Sequence, residues 1–409
     1  MDRRTFLRLS LGGAAGGVAG CAGRLTAPTA TGGGAAPTED GTTTADSDAT
    51  TATTATTADS MGSVAGAELP IPTEELVRGA PKNAIPAITD PVFGEDWSGV
   101  EITRSGRLTG NEEVSRPRLA ADDAVIGVER EGAARAYPLK LLNWHEIVND
   151  EFGGPLLVTY CPLCGTGVTA HRRVDGEPTV FGVSGYLYKS NLVMFDQATE
   201  SLWSQTAATA INGPKTGTTL SLLPSSITTW KAWTEAHPDT TVLRPPPESG
   251  TITGREAVRD YSQNPYAGYG ESESIGIGRN DFEDDRLHPK TQVIGVAAGG
   301  AARAYPLPAV RERGPVNDTV GGRPVVVAVA ADDRTLVAYD RRVDGETLTF
   351  EADGSHLAAG GSRWEILTGE AVDGPHEGTE LTSAAGQSQL FWFTWLDFHP
   401  DTTVFGADS

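Results

Sequence analysis

The chain has 409 residues, enough to bury one large core or two smaller ones, and its 54 acidic and 32 basic residues give a formal net charge of −22. So negative a surface repels phosphate backbones, which excludes nucleic acid as an expected partner. The same acidic, lysine-poor composition is typical of halophilic proteins, which stay soluble in high salt because salt screens their self-repulsion.

The first residues have the pattern of an export signal. Arg3 and Arg4 precede Thr-Phe-Leu, as in twin-arginine signals, and residues 9–19 form an apolar run too short for an ordinary membrane span. The run ends in Val-Ala-Gly before Cys21, which is typical of a lipobox. We therefore predict that residues 1–21 direct export, and that a lipid on Cys21 anchors the protein at the cell surface, on the outer face of the cytoplasmic membrane. A cleaved signal without lipid is the alternative.

Residues 22–67 contain almost no large apolar side chain and are rich in Thr, Ala and Gly. Such a segment cannot bury enough apolar surface to offset the entropy lost on ordering it. We therefore expect a disordered tether, with the folded part of the chain starting at residue 68.

An internal repeat organises the folded part of the chain. Four motifs occur twice in the same order, which chance does not explain. They are VIGV and GAARAYPL within 125–139 and 293–307, VND at 148–150 and 316–318, RRVDGE at 172–177 and 341–346, and HPDTTV at 237–242 and 399–404. The sequence therefore predicts a first repeat lobe at 68–245, an acidic connecting segment at 246–287 and a second, degenerate lobe at 288–409.

Each repeat consists mainly of predicted strands and turns. The strands expected in the first copy are 125–128, 133–137, 156–160 and 167–172. Val-Asp-Gly-Glu at 174–177 is typical of a hairpin turn, an apolar face predicts a helix over 139–148, and a second helix covers 230–236. The expected fold class is α+β and β-rich, with two tandem related lobes, each of mostly antiparallel strands with one or two short helices.

The repeat permits a comparison within one sequence. Residues that both copies share belong to the common fold, whereas residues unique to the first copy are candidates for a function that only this copy performs. Segments 181–191 and 201–205 have no recognisable counterpart in the second copy. Aligned on the flanking motifs, Cys161 falls opposite Val329, Cys164 opposite Asp332 and His145 opposite Arg313. We expect the first lobe to carry the site and the second to be a structural partner.

Four motifs of the first copy carry a family resemblance. They are NWHEIVND at 143–150, YCPLCGTG at 160–167, SGYLYKSN at 184–191 and SLWSQ at 201–205. With these motifs the chain resembles the domain-of-unknown-function 3179 family, as an exported archaeal lipoprotein-like member. The resemblance covers nearly the whole folded part. It implies relatedness and no particular chemistry, because no activity is established for the family.

Cys161 and Cys164 form the candidate site. In a Cys-Pro-x-Cys-Gly turn two thiolates converge on one metal, although zinc-ribbon sites need two such turns and this chain has one. Further ligands would have to be His145, His171 or Met194, and sulfur with imidazole suits copper or zinc. A thiol–disulfide redox pair is the alternative, and an extracellular binding module with a structural disulfide is a further one. Whether the protein is an enzyme stays open.

A polar and aromatic stretch of the first copy can line a pocket beside the cysteines. Its candidate residues are Tyr186, Tyr188, Lys189, Asn191, Trp203 and Gln205. The alternative is a strand pair whose aromatic side chains pack between the lobes. For His145 the alternative is a core residue with satisfied hydrogen bonds. The small-molecule or protein partner stays unspecified.

Overall fold

The computed structural model describes residues 62–105, 112–277, 279 and 281–407. The predicted export signal with Cys21 and most of the predicted tether lie outside the described residues. All described residues belong to one compact unit.

Seven short strands precede the first repeat. They are β1 Ser63–Val64, β2 Ala67–Glu68, β3 Val77–Arg78, β4 Ile88–Asp90, β5 Phe93–Gly94, β6 Ile102–Ser105 and β7 Glu112–Ser115. A 3-10 helix covers Thr73–Glu75. Strands β1 and β2 form a hairpin, so residues 63–67, which the sequence assigned to the tether, are part of a strand pair.

The first repeat is made mainly of strands. They are β8 Ala124–Arg130, β9 Ala133–Pro138, β10 Ile147–Glu151, β11 Pro155–Cys161, β12 Thr166–His171, β13 Arg173–Val174, β14 Glu177–Pro178, β15 Phe181–Tyr188, β16 Asn191–Asp196, β17 Leu202–Ser204, β18 Thr209–Asn212, β19 Leu222–Leu223, β20 Ser226–Thr229 and β21 Thr241–Leu243. Helix α1 spans Leu139–His145 and α2 spans Trp230–Ala236. The predicted strands and α2 are confirmed. Helix α1 is shorter than predicted, because Glu146 takes a left-handed conformation with φ 57° and the chain continues as β10.

The second repeat follows β22, Gly250–Thr251, which lies in the connecting segment. Its strands are β23 Gln292–Ala298, β24 Ala301–Pro306, β25 Val316–Val320, β26 Arg323–Val329, β27 Leu336–Asp340, β28 Arg342–Val343, β29 Glu346–Thr347, β30 Glu351–Asp353, β31 His356–Ala359, β32 Ser362–Glu365, β33 Leu390–Phe391 and β34 Thr403–Val404. Helix α3 spans Leu307–Arg313, α4 spans Trp392–Phe398, and a 3-10 helix covers Gly374–His376. Among the described residues, no helix has the length and apolar character needed to cross a membrane.

The described part of the chain contains six sheets of three or more strands, besides four two-stranded sheets. Their strand orders are β20-β8-β9-β21-β5, β19-β12-β11-β10-β4-β22, β18-β17-β16-β15-β3, β33-β23-β24-β34, β25-β26-β27 and β30-β31-β32. Neighbours are antiparallel except in the pairs β4–β10, β9–β21 and β24–β34. The β-rich, mainly antiparallel fold is thus confirmed. The sheets look like the blades of a six-bladed propeller, and the expected two tandem lobes are not clearly separate.

One buried core explains why the lobes are not separate. Val128 and Trp233 from the first repeat lie in the same cluster of buried side chains as Tyr339 and Trp364 from the second. Apolar sheet faces in each repeat are therefore covered partly by the other repeat. A repeated motif indicates a duplicated unit, but it does not indicate how the two units pack.

The two repeats share the same pairing. Val125 pairs with Pro138 between β8 and β9, and Val293 pairs with Pro306 between β23 and β24. In each repeat the last strand returns to the first sheet, since β21 pairs with β9 and β34 pairs with β24, both in parallel. The strand registers at these positions are therefore the same in the two halves of the chain.

A glycine beneath a tryptophan recurs in both repeats. A Cβ added to Gly127 would overlap the ring of Trp233, and one added to Gly295 would overlap the ring of Trp395. These glycines lie in β8 and β23, and the tryptophans lie in α2 and α4. Each glycine therefore lets the last helix of its repeat pack flat on the first sheet.

Candidate functional site

Cys161 is the last residue of β11, and Cys164 lies in the turn that leads to β12. Cys161 pairs with Thr166 across the two strands, and the Cys164 amide donates to the Cys161 carbonyl at 3.0 Å. Gly165 has φ +63°, and a Cβ there would lie 3.1 Å from the ring of Phe391. The turn needs glycine both for its left-handed backbone and for the close approach of that ring.

The second repeat forms the same turn without cysteines. The Ala330 amide donates to the Thr335 carbonyl at 2.8 Å, and the Asp333 amide donates to the Ala330 carbonyl at 3.0 Å. The latter bond is the counterpart of the Cys164–Cys161 bond in the first repeat. The backbone of the turn therefore does not require thiols.

The alignment of the cysteines inferred from the sequence was one residue out. The β10–β11 pairing joins Asp150 to Leu156 across residues 151–155, whereas the β25–β26 pairing joins Asp318 to Val325 across residues 319–324, which is one residue more. The corrected alignment places Cys161 opposite Ala330, not Val329, and Cys164 opposite Asp333, not Asp332.

Both cysteines are free thiols and are fully buried. The Cys164 thiol donates to the Ser190 carbonyl at 3.3 Å and also hydrogen bonds with Cys161, Asn191 and Thr394. Burial raises the pKa of the Cys164 thiol, and the neighbouring Cys161 raises this pKa further. The hydrogen bonds from Asn191 and Thr394 oppose this rise, because they favour the thiolate. Cys164 therefore stays protonated unless a further group compensates its negative charge.

The last helix of the second repeat closes over the cysteine turn. The Cys164 carbonyl accepts hydrogen bonds from the Phe391 amide at 3.0 Å and from the Thr394 hydroxyl at 3.3 Å. Phe391 also belongs to the buried cluster that contains the cysteines, Leu163 and Met194. The second repeat thus contributes directly to the site, whereas the sequence indicated only a structural partner.

The connecting segment covers the turn from another side. The Tyr269 hydroxyl donates to the Leu163 carbonyl at 2.9 Å and accepts from the Gly276 amide at 2.9 Å. The Lys290 ammonium lies 3.9 Å from the centre of the Tyr269 ring and donates to the Ser272 hydroxyl at 2.8 Å. Burial lowers the pKa of Lys290 to about 8. Parts of the chain that are distant in sequence therefore enclose the cysteine pair.

Asn191 and Gln205, two of the residues predicted to line a pocket, lie at the cysteine site. The Asn191 amide nitrogen donates to the Gln205 side-chain carbonyl at 2.9 Å. The Gln205 amide nitrogen donates in turn to the Thr159 hydroxyl at 3.1 Å and to the Thr166 carbonyl at 2.9 Å. All these side chains are buried, so the amide pair fixes the β15–β16 hairpin beside the Cys164 sulfur.

Tyr186 and Tyr188 lie elsewhere. The Tyr186 ring lies 4.2 Å from the guanidinium of Arg78, and its hydroxyl accepts from the same side chain at 3.1 Å. The Tyr188 hydroxyl donates to the Val64 carbonyl at 3.2 Å. Both tyrosines hold the N-terminal strands against the first repeat, and in this structure their hydroxyls do not point at the cysteines.

Lys189 and Trp203 also make other contacts. The Lys189 ammonium donates to the Asp397 carbonyl at 3.3 Å, which ties the tip of the β15–β16 hairpin to the end of α4. The Trp203 indole nitrogen donates to the Asp196 carboxylate at 2.9 Å, and the Trp203 ring is fully buried. Both residues support the frame around the site.

Trp203 has a counterpart in the second repeat, contrary to the expectation for segment 201–205. Phe181 and Trp203 pack edge to face with centroids 5.7 Å apart, and Phe350 and Trp364 pack in the same way at 5.7 Å. Phe181 and Trp203 lie in β15 and β17, whereas Trp364 lies in β32 and Phe350 directly precedes β30. The sequences around the two tryptophans differ too much for an alignment to reveal this equivalence.

His145 lies in the core with both ring nitrogens engaged. Its Nδ1 lies 2.7 Å from the Pro86 carbonyl and its Nε2 lies 2.8 Å from the Tyr261 hydroxyl. Burial lowers the pKa of His145 to about 3, so the ring is neutral. Because a carbonyl only accepts, Nδ1 carries the proton and Nε2 accepts from Tyr261. This geometry agrees with the alternative of a satisfied core histidine.

His171 lies at the far end of the strand pair from the cysteines. It pairs with Leu156, whereas Cys161 pairs with Thr166, so five residues of β11 separate the two positions. At the usual rise per residue this is about 16 Å. His171 is therefore not brought to the cysteine pair.

The reactive groups at this site are two neighbouring thiols. Among the described residues, no group of three or more His, Cys, Asp or Glu side chains is arranged to hold a metal ion. The pair can bind one soft ion through sulfur, or it can lose two electrons to form a disulfide.

Thr394 and Tyr269 contact the site but were missed from the sequence. The sequence does contain a difference that points to Thr394. Helix α4 of the second copy begins Trp-Phe-Thr-Trp, whereas the equivalent helix α2 of the first copy begins Trp-Lys-Ala-Trp. The buried Phe393 and Thr394 replace Lys231 and Ala232. A search for residues that only the second copy has would therefore have identified this helix as a candidate. No comparable signal marks Tyr269, because the connecting segment has no second copy.

Fold and site together define a β-rich, mainly antiparallel protein with a buried pair of thiols. The chain belongs to the DUF3179 family, described as a protein of unknown function, whose model matches residues 82–402. The comparison with curated proteins and the comparison with solved structures found no match.

Proposed function

We propose that Cys161 and Cys164 bind one copper(I) ion as a pair of thiolates. The observation that carries this proposal is the hydrogen-bonded thiol pair on a turn that the second repeat builds with Ala330 and Asp333. Since the backbone does not need cysteine at either position, the chemistry of sulfur is the reason to have it there.

Copper(I) suits the pair better than zinc, the other metal expected from the sequence. Copper(I) is a soft ion that is satisfied by two thiolates, whereas zinc in proteins takes four ligands. The ring nitrogens of His145 bind other partners and His171 lies at the far end of the strands. The two sulfurs remain as ligands, and Met194 lies in the same buried cluster.

The surroundings of the pair suit a thiolate complex. Binding of copper(I) releases the two thiol protons and leaves one net negative charge on the complex. The hydrogen bonds from Asn191 and Thr394 to the Cys164 sulfur stabilise part of that charge. The buried apolar residues around the pair exclude water and bulky oxidants.

The test uses the chain with Cys21→Ser, in which Cys161 and Cys164 are the remaining thiols of the three in the sequence. Anaerobic titration with copper(I) against a competing chelator in high-salt buffer should give one tightly bound ion per chain and the release of two protons. Cys161→Ser/Cys164→Ser in the same background is the control. Equal copper binding by the two proteins would contradict the proposal.

A thiol–disulfide redox pair is the second candidate. The observation in its favour is that the two thiols are close enough to hydrogen bond, so a disulfide would need little movement. The step oxidises the two thiols to one S–S bond, with loss of two protons and two electrons, and reduces the disulfide of a partner to two thiols. Equilibration with mixtures of oxidised and reduced dithiothreitol, followed by alkylation and mass spectrometry, should then show reversible cycling. Cysteines that stay reduced in the folded protein under every mixture would reject this candidate.

We infer that the protein has the cellular location that its sequence patterns indicate. The protein is exported by the twin-arginine route and held at the cell surface by a lipid on Cys21, with the residues that follow as a tether. The Arg3-Arg4 motif and the lipobox support this proposal. Mass spectrometry of the mature N-terminus should find a diacylglycerol-modified cysteine, and Cys21→Ala should release the protein from membranes.

We also propose that the folded part is a duplicated three-sheet unit in which the first copy holds the thiols. The shared registers and the paired Gly–Trp contacts support this organisation. An experimental structure should superpose residues 124–243 on residues 292–404 by a single rotation. Different orders of the sheets in the two halves would contradict it.

A further inference from the structure

A cavity of about 320 Å³ opens beside the cysteine turn. Three parts of the chain form its walls: helix α1, residues 261–270 of the connecting segment, and the Tyr160–Pro162 end of β11. Phe391 of the second repeat closes one side. The volume is at the lower end of the range for small-molecule sites, so it suits a ligand of one or two rings.

Aromatic faces form much of the lining. Tyr160, Tyr266, Tyr269 and Phe391 all contribute to the cavity wall. Tyr269 is fixed by its hydrogen bonds and Phe391 by its contact with Gly165, so these faces are in place before a ligand arrives.

Amide side chains supply hydrogen-bonding capacity at the rim. Asn143, Gln263 and Asn264 all line the cavity. The Asn264 side-chain carbonyl accepts from the Tyr266 amide at 2.9 Å and from the Asn143 amide nitrogen at 3.4 Å. A primary amide carries two donors and two acceptor sites, so each of these side chains retains capacity for a ligand.

The cavity is electrically balanced. Its two charged residues, Asp123 and Lys140, form an ion pair at 2.5 Å and neutralise each other. The chain as a whole carries a net charge of −22, so this balance is specific to the cavity. A ligand with a net charge of either sign would find no excess of opposite charge here.

We propose that this cavity binds a neutral sugar ring, a pyranose or a small saccharide built from pyranoses. A pyranose has C–H faces that pack on aromatic rings and hydroxyl groups around its edge that both donate and accept. Three amides and Tyr160 in the cavity lining supply that mixture of donors and acceptors. A flat neutral ring such as hydroquinone carries two hydroxyl groups only, and would leave most of the amide groups without a ligand partner.

The second repeat does not reproduce the cavity. Asn143 corresponds to Arg311, which forms an ion pair with Asp333 at 2.7 Å. Tyr160 corresponds to Val329 in the corrected alignment. The sugar site therefore belongs to the first copy, as the cysteines do. It does not depend on copper binding, since none of its residues is a proposed ligand of the ion.

Ligand-detected saturation-transfer NMR on the full chain in high-salt buffer tests the proposal. The probes are glucose, galactose, mannose and N-acetylglucosamine, with hydroquinone as a flat aromatic comparison. At least one sugar should bind saturably. Tyr160→Phe, which removes a hydroxyl and keeps the ring, and Asn143→Ala should each weaken that binding by about three- to tenfold. Tyr186→Phe, at a half-buried tyrosine in contact with Arg78, is the matched control and should leave it unchanged.

Three results would overturn the proposal. The first is that no sugar of the panel binds saturably, and the second is that hydroquinone binds while the sugars do not. The third is that sugar binding is insensitive to both Tyr160→Phe and Asn143→Ala, which would place it elsewhere on the molecule. Copper titration of the same variants tests the cysteine site independently. It should give one ion per chain whether or not the variants bind sugar.

Discussion

At the scale of single residues, burial sets the protonation of two side chains that the sequence marked as candidates. It raises the pKa of the Cys164 thiol and lowers that of His145 to about 3. Both groups are therefore neutral at pH 7 in the folded chain, and their ionised forms occur only after unfolding or with a compensating partner.

The Cys164 thiol should react slowly in the folded protein. Only the thiolate attacks alkylating agents, and burial disfavours the thiolate while blocking access. We expect iodoacetamide at pH 8 to modify the folded chain at least about tenfold more slowly than the urea-unfolded chain. Quenched time points and peptide mass spectrometry measure both rates, and equal rates would show that the pair is open to solvent.

His145 should make the protein less stable at acidic pH. Its folded pKa lies below its unfolded value, so the unfolded chain binds the extra proton as pH falls below about 6.5. Its contribution is complete above that pH and decreases by about 1.4 kcal/mol per pH unit down to about pH 3. Denaturant melts at several pH values should show a shallower acid slope for His145→Gln. The exposed-site control His288→Gln should keep the steep slope, and an unchanged slope in His145→Gln would count against this account.

Residue types in the sequence were enough to locate the site but not to assign every role. Asn191 and Gln205 do lie at the cysteines, because a polar side chain within an apolar strand must find a partner inside the fold. His145 could not be assigned, since the same residue on an apolar helix face serves a ligand or a core hydrogen bond equally well. Its partners Pro86 and Tyr261 lie 59 and 116 residues away.

At the scale of elements, the contact of each last helix with the first sheet depends on one glycine. Gly127 should therefore not tolerate a methyl group, because a Cβ would overlap the Trp233 ring. We expect Gly127→Ala to lower the free energy of unfolding by about 1–3 kcal/mol through overpacking. Urea melts followed by tryptophan fluorescence measure the change.

Gly270→Ala is the matched control, since no atom lies within 4 Å of a Cβ added there. It should be neutral or slightly stabilising, because alanine restricts the unfolded chain. Similar losses in the two variants would mean that the Trp233 contact is not what constrains Gly127.

Strands and turns were the elements best predicted from the sequence. The Val-Asp-Gly-Glu hairpin and the strands around the cysteine turn follow from local composition. Helix α1 was predicted three residues too long, since an apolar face continues through Val148 although Glu146 ends the helix. The end of α1 and the start of β10 lie in the same apolar run of sequence. The backbone conformation of Glu146 is what separates the helix from the strand.

At the scale of the whole molecule, a buried ion pair fastens the connecting segment to the last helix. Arg279 binds the carboxylate of Asp397 through both terminal guanidinium nitrogens, and the Asp397 side chain is 7% exposed. Arg279→Ala would leave this carboxylate buried without its partner. We expect a loss of about 3–5 kcal/mol in the free energy of unfolding, measured by denaturant melts.

Arg255→Ala is the control for this loss. Arg255 pairs with Asp90, but both side chains are more than half exposed. Its removal should cost no more than about 1 kcal/mol, because solvent screens the pair. Amide hydrogen exchange should also speed up in residues 262–277 of the Arg279→Ala variant alone, and unchanged exchange would show that the segment stays docked by other contacts.

Salt should stabilise the folded protein. The whole chain has a formal net charge of −22, and ions screen the resulting repulsion. Thermal melts should therefore shift upward as KCl rises from about 0.2 M to about 2 M, where the screening length falls to a few ångströms. A midpoint independent of KCl would indicate that local ion pairs already balance the charge.

The packing of the repeats was the part of the fold least accessible from the sequence. A duplicated motif predicts two related units, and the two halves share strand registers, but the common core around Trp233 and Tyr339 is not encoded in any local pattern. The role of the connecting segment was missed for the same reason. Its acidic, turn-rich composition suggests solvent exposure, while Tyr266 and Tyr269 pack in the cluster that contains the thiols and Tyr269 bonds to the cysteine turn.

The closure of the cysteine turn by the last helix has a consequence in time. Thr394 lies 230 residues after Cys164, so it leaves the ribosome roughly 10–50 s later at the usual rate of 5–20 residues per second. Until then Cys164 lacks its contacts with Phe391 and Thr394, and the thiol pair is open to the compartment in which the chain is made. If the sulfurs bind copper(I) as proposed, uptake should therefore be fastest during synthesis, and the closed turn should then slow the loss of the ion.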